Sequence, residues 1–247
     1  MGYHSWMDDN RICVFMPAYN EESSVVEVIE RVSQFLPGVR VVVINDGSFD
    51  KTVERAEQAG ARVIDLPFNL GIGGAVQAGL KYAWRNGFEV AIEIDADGQH
   101  DPSYARKLVE ALDEADMVIG SRFVADTDYR SSTLRRFGIH LFSWLIQQAT
   151  GKRVYDTTSG YRAYNRKAMR FLSYYYPADF PEPESIVMLL LKGFKIKEVP
   201  VEMSKRLAGE SVVGKSDFSF KGAYFLVSNA IAILLMSVKA RVYYGKS

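Results

Sequence analysis

The chain has one cysteine, Cys13, and only three histidines in 247 residues. A single cysteine excludes an internal disulfide, and its position inside the apolar run 12–16 marks a buried thiol that packs like a small hydrophobe. His4, His100 and His140 stand in no obvious base constellation, so a catalytic centre built on several imidazoles is excluded as well. Charge of one sign is also missing. Thirty lysines and arginines balance thirty aspartates and glutamates, which speaks against nucleic acid or a general polyanion as partner. Any anion must then be met by a local cluster. The first ten residues lack a basic segment followed by an apolar one, so no secretory signal and a cytoplasmic setting are expected. Long hydrophobic runs are scarce too: the uncharged stretch 222–238, about 17 residues, is at the short edge of what spans a bilayer.

What is present is alternation. Short β-branched runs at 12–16, 40–45, 62–66, 90–94 and 117–119 have the near-continuous apolarity of strands buried on both faces. Between them, 22–35, 50–59, 72–86 and 102–114 carry helical spacing. Ser48 and Asp50, then Asp101 and Pro102, are start signals, and Gly60 and Gly87 are stops. An α/β fold follows, with a mostly parallel sheet covered by helices on both faces. Beyond Ser121 the alternation ends: a helix over 132–150, a loop over 156–165, a helix near 184–192 and a strand-like run over 195–203 are expected. The length fits one catalytic domain, taken as 1–214, followed by a C-terminal apolar helix within 215–247.

In an open parallel sheet, ligands bind beyond the carboxyl ends of the strands. Every conspicuous polar cluster of the first half follows a strand: PAYNEE at 17–22, NDGS at 45–48, PFNLG at 67–71, DADGQH at 95–100 and GSRF at 120–123. Their convergence makes a cleft. Asp95 and Asp97, two apart where an apolar strand ends, can turn both carboxylates onto one hard cation, which prefers carboxylate and phosphate oxygens. The bland alternative is a solvated acidic turn. Asp46, with Gly47 and Ser48 making a tight turn, offers acceptor oxygens to nucleoside hydroxyls and N–H groups, or else caps the helix at 50–59. Gly71, Gly73 and Gly74 permit close backbone approach but match neither the dinucleotide fingerprint nor the P-loop.

The ordered motifs PAYNEE, NDGSFDKT, NLGIGGAVQAGL, DADGQHDP, GSRF, DTTSGYRAYNR and RLAGES resemble glycosyltransferase family 2, and within it the polyprenyl-phosphate glycosyl synthases similar to dolichyl-phosphate mannose synthase. The likeness runs from Val14 to Gly214. It implies a GT-A type, Rossmann-like fold and an inverting transfer from a UDP- or GDP-linked sugar to a polyprenyl phosphate. It further implies that Pro17, Ala18, Tyr19, Glu21 and Asp46, with Asn69 and Gly71, line the donor nucleotide site. Asp95, Asp97 and Gln99 would hold magnesium or manganese on the donor diphosphate, and Arg206 and Ser211 would close over its phosphates. Arg122, with Arg135 or Arg136, would meet the acceptor phosphate; Asp97, Arg122 and Arg206 are the residues the resemblance makes catalytic. Two departures stand out: Asn45 where the family often has aspartate, and Val212 where it often has a basic residue.

The acceptor sets the chemistry required. A phosphate monoester is already an anion at neutral pH, so a polyprenyl phosphate needs arginines to position it, drawn from Arg122, Arg135, Arg136 and Arg162, and no base. A sugar hydroxyl acceptor, as in polysaccharide synthesis, would need a base, for which Glu182 and Glu184 are candidates unless they only cap the helix that follows. A sugar-phosphate nucleotidyltransferase is the more distant alternative, disfavoured because PAYNEE is acidic where a basic glycine-rich loop is expected. The segment 134–151 places Leu134, Phe137, Leu141, Trp144, Leu145 and Gln148 near one face with Arg135 and Arg136 at its start. It fits a helix lying in a bilayer interface or one docked on the core equally well. Apolar residues within 220–246, bracketed by Lys221, Lys239 and Arg241, form a second candidate contact with a membrane surface, the alternatives being a short spanning helix or a contact with a small membrane protein. A peripheral enzyme on the cytoplasmic face of the membrane is expected.

Overall fold

The computed structural model describes residues 9–124, 133–204 and, within 227–238, all but 229 and 237; of 133–137 only the backbone is described. The elements are β1 (Ile12–Ala18), α1 (Val25–Phe35), β2 (Arg40–Asn45), α2 (Thr52–Gln58), β3 (Arg62–Asp65), α3 (Gly71–Arg85), β4 (Val90–Glu93), α4 (Ala105–Ala111), β5 (Met117–Ser121), α5 (Thr133–Thr150), β6 (Arg162–Asn165), α6 (Arg166–Tyr175), α7 (Pro181–Leu191) and β7 (Ile196–Pro200). The strands form one sheet in the order β3-β2-β1-β4-β6-β5-β7. All pair parallel except β6, which runs antiparallel between β4 and β5.

The central strand β1 is buried along its whole length, as its unbroken apolar run requires. Cys13 lies in it, fully buried, with burial raising its thiol far above the usual range. β3 departs from the expectation of burial on both faces: as the edge strand it leaves Arg62 and Asp65 exposed. The loop expected over 156–165 also needs correction, because its last four residues are β6. Arg162 and Asn165 gave that stretch a polar look, yet it is a buried central strand whose guanidinium is fully satisfied. α6, which follows at once, was not foreseen; Asn165 caps it by accepting from the Ala168 backbone N–H at 2.9 Å.

Helices cover both faces. Val25, Val28, Ile29 and Val32 of α1, at helical spacing, pack with Leu108 of α4 on one face; each such side chain stabilises the fold by roughly 1.5–3 kcal/mol. The other face holds α3, α5, α6 and α7, together with Ile233 from the helical residues 230–236. α3 comes close to β1 because Gly79 has no side chain; a methyl there would run into the Phe15 ring. α5 docks on this core through Ile139, Phe142 and Ile146, while Trp144 stays exposed. The stripe read from its sequence therefore lies beside the buried face, with Leu141 and Leu145 half-buried. No helix among the described residues is long and apolar enough to cross a membrane.

Candidate active site

Three loops at the carboxyl edge are tied to one another by side chains that accept from backbone N–H groups. Asp46, nearly buried, accepts from Leu70 N at 2.6 Å and so joins the end of β2 to the start of α3. It does not cap α2; the carboxylate at the start of that helix belongs to Asp50, one residue before the N-cap Lys51, and accepts from Thr52 N at 2.9 Å. Gly47 has φ +74°, and a methyl there would fall 2.9 Å from Asn69 N, so only glycine lets these loops touch. Asn20, at φ 57°, receives Phe49 N on its Oδ1 (3.1 Å) while its own N–H donates to Ser48 Oγ (2.9 Å). Asn69 accepts from Gly71 N at 3.0 Å.

The expected donor residues are thereby brought to one place. Pro17 and Ala18 end β1, paired with Ile44 and Asn45, and Tyr19 projects half-exposed with its ring edge-on to Phe49 at 5.7 Å. Glu21 points its carboxylate inward, accepting from Ser24 Oγ at 2.8 Å. Asn45 has a structural reason to be an amide: its Nδ2 donates to Asp65 Oδ1 at 2.7 Å and its Oδ1 accepts from Ser48 N at 3.2 Å. A carboxylate there would meet another.

Asp95 and Asp97 follow β4 at the middle of the sheet. The Asp95 side chain is about a third exposed, whereas Asp97 is nearly buried and accepts from Gln99 N at 2.9 Å. Gly160, from the loop before β6, leaves room beside Asp95: its missing methyl would sit 3.7 Å from both carboxylate oxygens. His100 closes the turn. Its Nδ1 accepts from Asp95 N at 3.0 Å, which leaves the proton on Nε2, 3.6 Å from Asp95 Oδ2. Burial lowers its pKa to about 4 against the opposing pull of Asp97, so the ring is neutral, stacked on Tyr161 at 4.9 Å. The far side of this turn is pinned to the strand end after β7, through the His100 pairing with Met203 and Ser204 N donating to Gln99 O at 2.9 Å.

Among the described residues, no cluster of three or more histidine, cysteine or carboxylate side chains is placed to enclose an ion. Two carboxylates with an open remainder fit magnesium or manganese shared with a ligand's phosphate oxygens, the common way magnesium is held.

The expected phosphate arginines fare differently. Arg122 is buried and paired with Asp156, Nε to Oδ2 at 2.8 Å and Nη2 to Oδ1 at 2.7 Å, with a further bond to Thr158 Oγ1 at 3.0 Å. Arg162 is fully buried, donating to Ser159 O (2.8 Å), Ser185 Oγ (2.9 Å) and Glu182 O (3.1 Å). It ties the loop before β6 to the start of α7 and has no surface to offer a ligand. Arg135 and Arg136 fall in the first turn of α5, and their side chains, like Arg206 and Ser211, lie outside the described residues.

Sequence reasoning missed the partners. Asp156 takes both edges of Arg122, and Glu198 of β7 receives Tyr155 N and Asp156 N, each at 2.8 Å. Burial raises the Glu198 carboxyl despite those bonds. Glu93 lies fully buried in β4, accepts from Tyr164 OH at 2.7 Å and is pushed up to about 8 by burial, with Arg162 pulling the other way. Glu182, at the start of α7, is also raised by burial. The available signal was a lone carboxylate inside the apolar run 90–94 and a lone arginine inside 161–164; charges in such runs require each other.

Comparison with known proteins settles the class. The family model described as glycosyl transferase family 2 matches residues 13–172. The chain belongs to that family. This glycosyltransferase is 31% identical over 215 residues to an undecaprenyl-phosphate mannosyltransferase of Micrococcus luteus, covering 81% of this chain and 86% of the relative. It is 30% identical over 223 residues to a polyprenol monophosphomannose synthase of Mycolicibacterium smegmatis, covering 84% and 82%. Among solved structures, glucosyl-3-phosphoglycerate synthase of Mycobacterium tuberculosis in complex with phosphoglyceric acid matches with TM-score 0.68 at 20% identity, covering 96% of this chain and 85% of that one. Its complex with Mn2+, UDP and phosphoglyceric acid matches with TM-score 0.65 at 22% identity, covering 92% and 78%. These likenesses show the glycosyltransferase to have the GT-A-like fold.

Proposed function

We propose that the enzyme transfers a sugar, with inversion, from a UDP- or GDP-sugar to a polyprenyl phosphate at the cytoplasmic face of the membrane. The reading is carried by the Asp95–Asp97 turn at the carboxyl edge of the sheet, in a chain alignable over four-fifths of its length with relatives named for polyprenyl-phosphate acceptors.

In this reading Tyr19, Asp46 and the Asn69 loop receive the nucleoside, and Asp95 and Asp97 face the diphosphate. When bound there, magnesium or manganese would act as a Lewis acid on the leaving diphosphate. The chain's own residues do the rest. His100, held neutral, orients the Asp95 backbone. Gln99 and Ser204 couple the acidic turn to the strand end after β7; Arg206 and Ser211, which come next in the sequence, are in this reading the clamps on the phosphates. Arg122 acts by fixing the loop of Asp156 and Thr158, which leaves Arg135 and Arg136 as the cations for an acceptor phosphate.

A second reading has an observation of its own. Glu182, whose carboxyl is raised by burial and feels the Asp95 charge, has the character of a base for a sugar hydroxyl. One experiment separates the two: radiolabelled UDP- and GDP-sugars are incubated with enzyme, Mn2+ and undecaprenyl or dolichyl phosphate, using native protein and Glu182→Gln. Label in a chloroform-soluble product, with Glu182→Gln retaining a tenth or more of the rate, supports the phosphate acceptor. Label transferred only to water-soluble acceptors, and lost in Glu182→Gln, overturns it.

A further inference from the structure

The sheet face that carries α3, α5, α6 and α7 also carries a surface the transfer reaction does not use. α3 and α6 lie side by side, joined where Gln77 Nε2 donates to Ser173 O at 3.4 Å and where Trp84 meets Tyr174 edge-on at 5.5 Å. Neither helix contains an acidic residue, and neither does α5. Outside this seam stand Lys81, Arg85 and Arg170, exposed and in no ion pair among the described residues, next to Trp84, Tyr174 and Tyr175, the two tyrosines more than half exposed. On the opposite sheet face, α1, α2 and α4 mix five glutamates with four arginines and lysines. The helices α3, α5 and α6 thus carry seven lysines and arginines without an acid, and the acids of that face, Glu182 and Glu184, are confined to the start of α7.

We propose that the α3–α6 seam is a docking surface for the anionic headgroups of a lipid bilayer. The proposal deepens the lipid-acceptor reading above and rests on it for its purpose. Cations interleaved with Trp and Tyr match a headgroup layer, where the charges meet phosphates and the rings sit at the polar–apolar boundary. A soluble polyanion would not account for the aliphatic residues exposed on the same helical layer, Ile231 at 50%, Leu234 at 53% and Leu235 at 65%, which hydrocarbon would cover. The seam also reaches the cleft. Gly73, in the first turn of α3, abuts the Pro177 and Ala178 carbonyls that follow α6, and a methyl there would lie 2.5 Å from Pro177 O. That first turn begins at Gly71, immediately after the Asn69 loop of the donor site. A bilayer seated on the seam would therefore bring lipid headgroups up to the reacting edge.

The test is co-sedimentation of the full chain with vesicles of equal parts phosphatidylglycerol and phosphatidylcholine, against vesicles of phosphatidylcholine alone. Lys81→Gln, Arg85→Gln and Arg170→Gln are combined in one variant. Each cation removed should weaken binding about fivefold, so the triple variant should bind the anionic vesicles about a hundredfold more weakly. Its circular dichroism spectrum and its transfer to a short-chain polyprenyl phosphate in detergent should match the native protein, which separates docking from catalysis. Unchanged vesicle binding in the triple variant overturns the proposal, as does equal binding of native protein to neutral vesicles. Tighter binding of single-stranded nucleic acid than of anionic vesicles overturns it too. Failure of lipid-phosphate transfer by the native protein would sink the acceptor reading instead, since vesicle binding is scored without turnover.

Discussion

The half of the sheet built from β3, β2, β1 and β4 and the half built from β6, β5 and β7 fix their cleft loops by different means. On the first half the ties are single side chains accepting backbone N–H groups, as in Asp46 with Leu70, Asn20 with Phe49 and Glu22 with Lys51, mostly at half-exposed positions. Each contributes about 1 kcal/mol. On the second half the ties are buried guanidinium groups: Arg122 paired with Asp156, and Arg162 donating to Ser159 O, Ser185 Oγ and Glu182 O. Removing one partner there leaves the other charged and dry, at a cost of about 3–5 kcal/mol. The donor side can therefore change one loop contact at a time, whereas the opposite wall stands or falls as a unit. The turn from Asp95 to His100 lies on the seam between them.

The largest expected effect is on that seam. Asp97→Asn keeps an oxygen to accept from Gln99 N, so the turn should persist, but it removes the charge that would face a cation in the proposed reaction. Turnover with saturating Mn2+ and donor should fall about a thousandfold, corresponding to about 4 kcal/mol of transition-state stabilisation, with an unchanged melting temperature. Near-native turnover would remove the acidic turn from the mechanism.

Next comes the contrast between halves. Asp156→Ala strands the Arg122 guanidinium and should cost about 3–5 kcal/mol, lowering the melting temperature by about 10 °C in a chain of this size. Asp46→Ala, which releases a single backbone N–H of the first half, should cost about 1–2 kcal/mol. Equal losses in the two variants, measured by urea unfolding, would erase the distinction between the halves.

The same division explains what the sequence disclosed. Strands, helices and loops of the first half follow from periodicity, and Asp46, Tyr19, Asp95 and Asp97 were placed at one edge by the rule for parallel sheets. These residues are conspicuous because they sit in polar loops directly after apolar runs. β6 was illegible because its four residues include a charge, Arg162, whose partners arrive from the loop before it and from α7. Arg122 was read as a phosphate ligand because a sequence shows a cation without showing the carboxylate 34 positions away that claims it. Pairings between distant charges are tertiary facts, carried by no local spacing.

His100 offers a smaller and reversible probe of the seam. Burial lowers its pKa from 6.5 to about 4, so the folded state favours the neutral ring. The stability it contributes is whole above about pH 6.5 and is lost as pH falls toward about 4, amounting to about 3 kcal/mol. Glu93 acts in the opposite sense: raised from 4.5 to about 8 by burial, it contributes stability that fades as pH rises through that window. Urea unfolding of chelator-treated protein between pH 7 and 4 should therefore show an acid-side loss of stability in the native chain that is absent from His100→Gln, while the Glu93 contribution is common to both. Parallel curves would show that the ring takes up its proton as readily in the folded state as in the unfolded.

The smallest effect tests the softer half at its most unusual residue. Asn45 donates to Asp65 at 2.7 Å at the exposed edge of the sheet, so Asn45→Asp sets one carboxylate against another. Because water reaches Asp65, whose side chain can turn away from a carboxylate at position 45, the cost at neutral pH should be only about 1 kcal/mol. Adding Asp65→Asn exchanges donor and acceptor across the same contact and should restore the native melting temperature. Affinity for the proposed nucleotide-sugar donor should stay within about twofold in both variants, because Asp46 and not Asn45 ties the end of β2 to the start of α3. A double variant that remains as unstable as Asn45→Asp alone would mean that the buried position 45 does not tolerate a charge even with a donor opposite it, and that the first half is less adjustable than its individual bonds suggest.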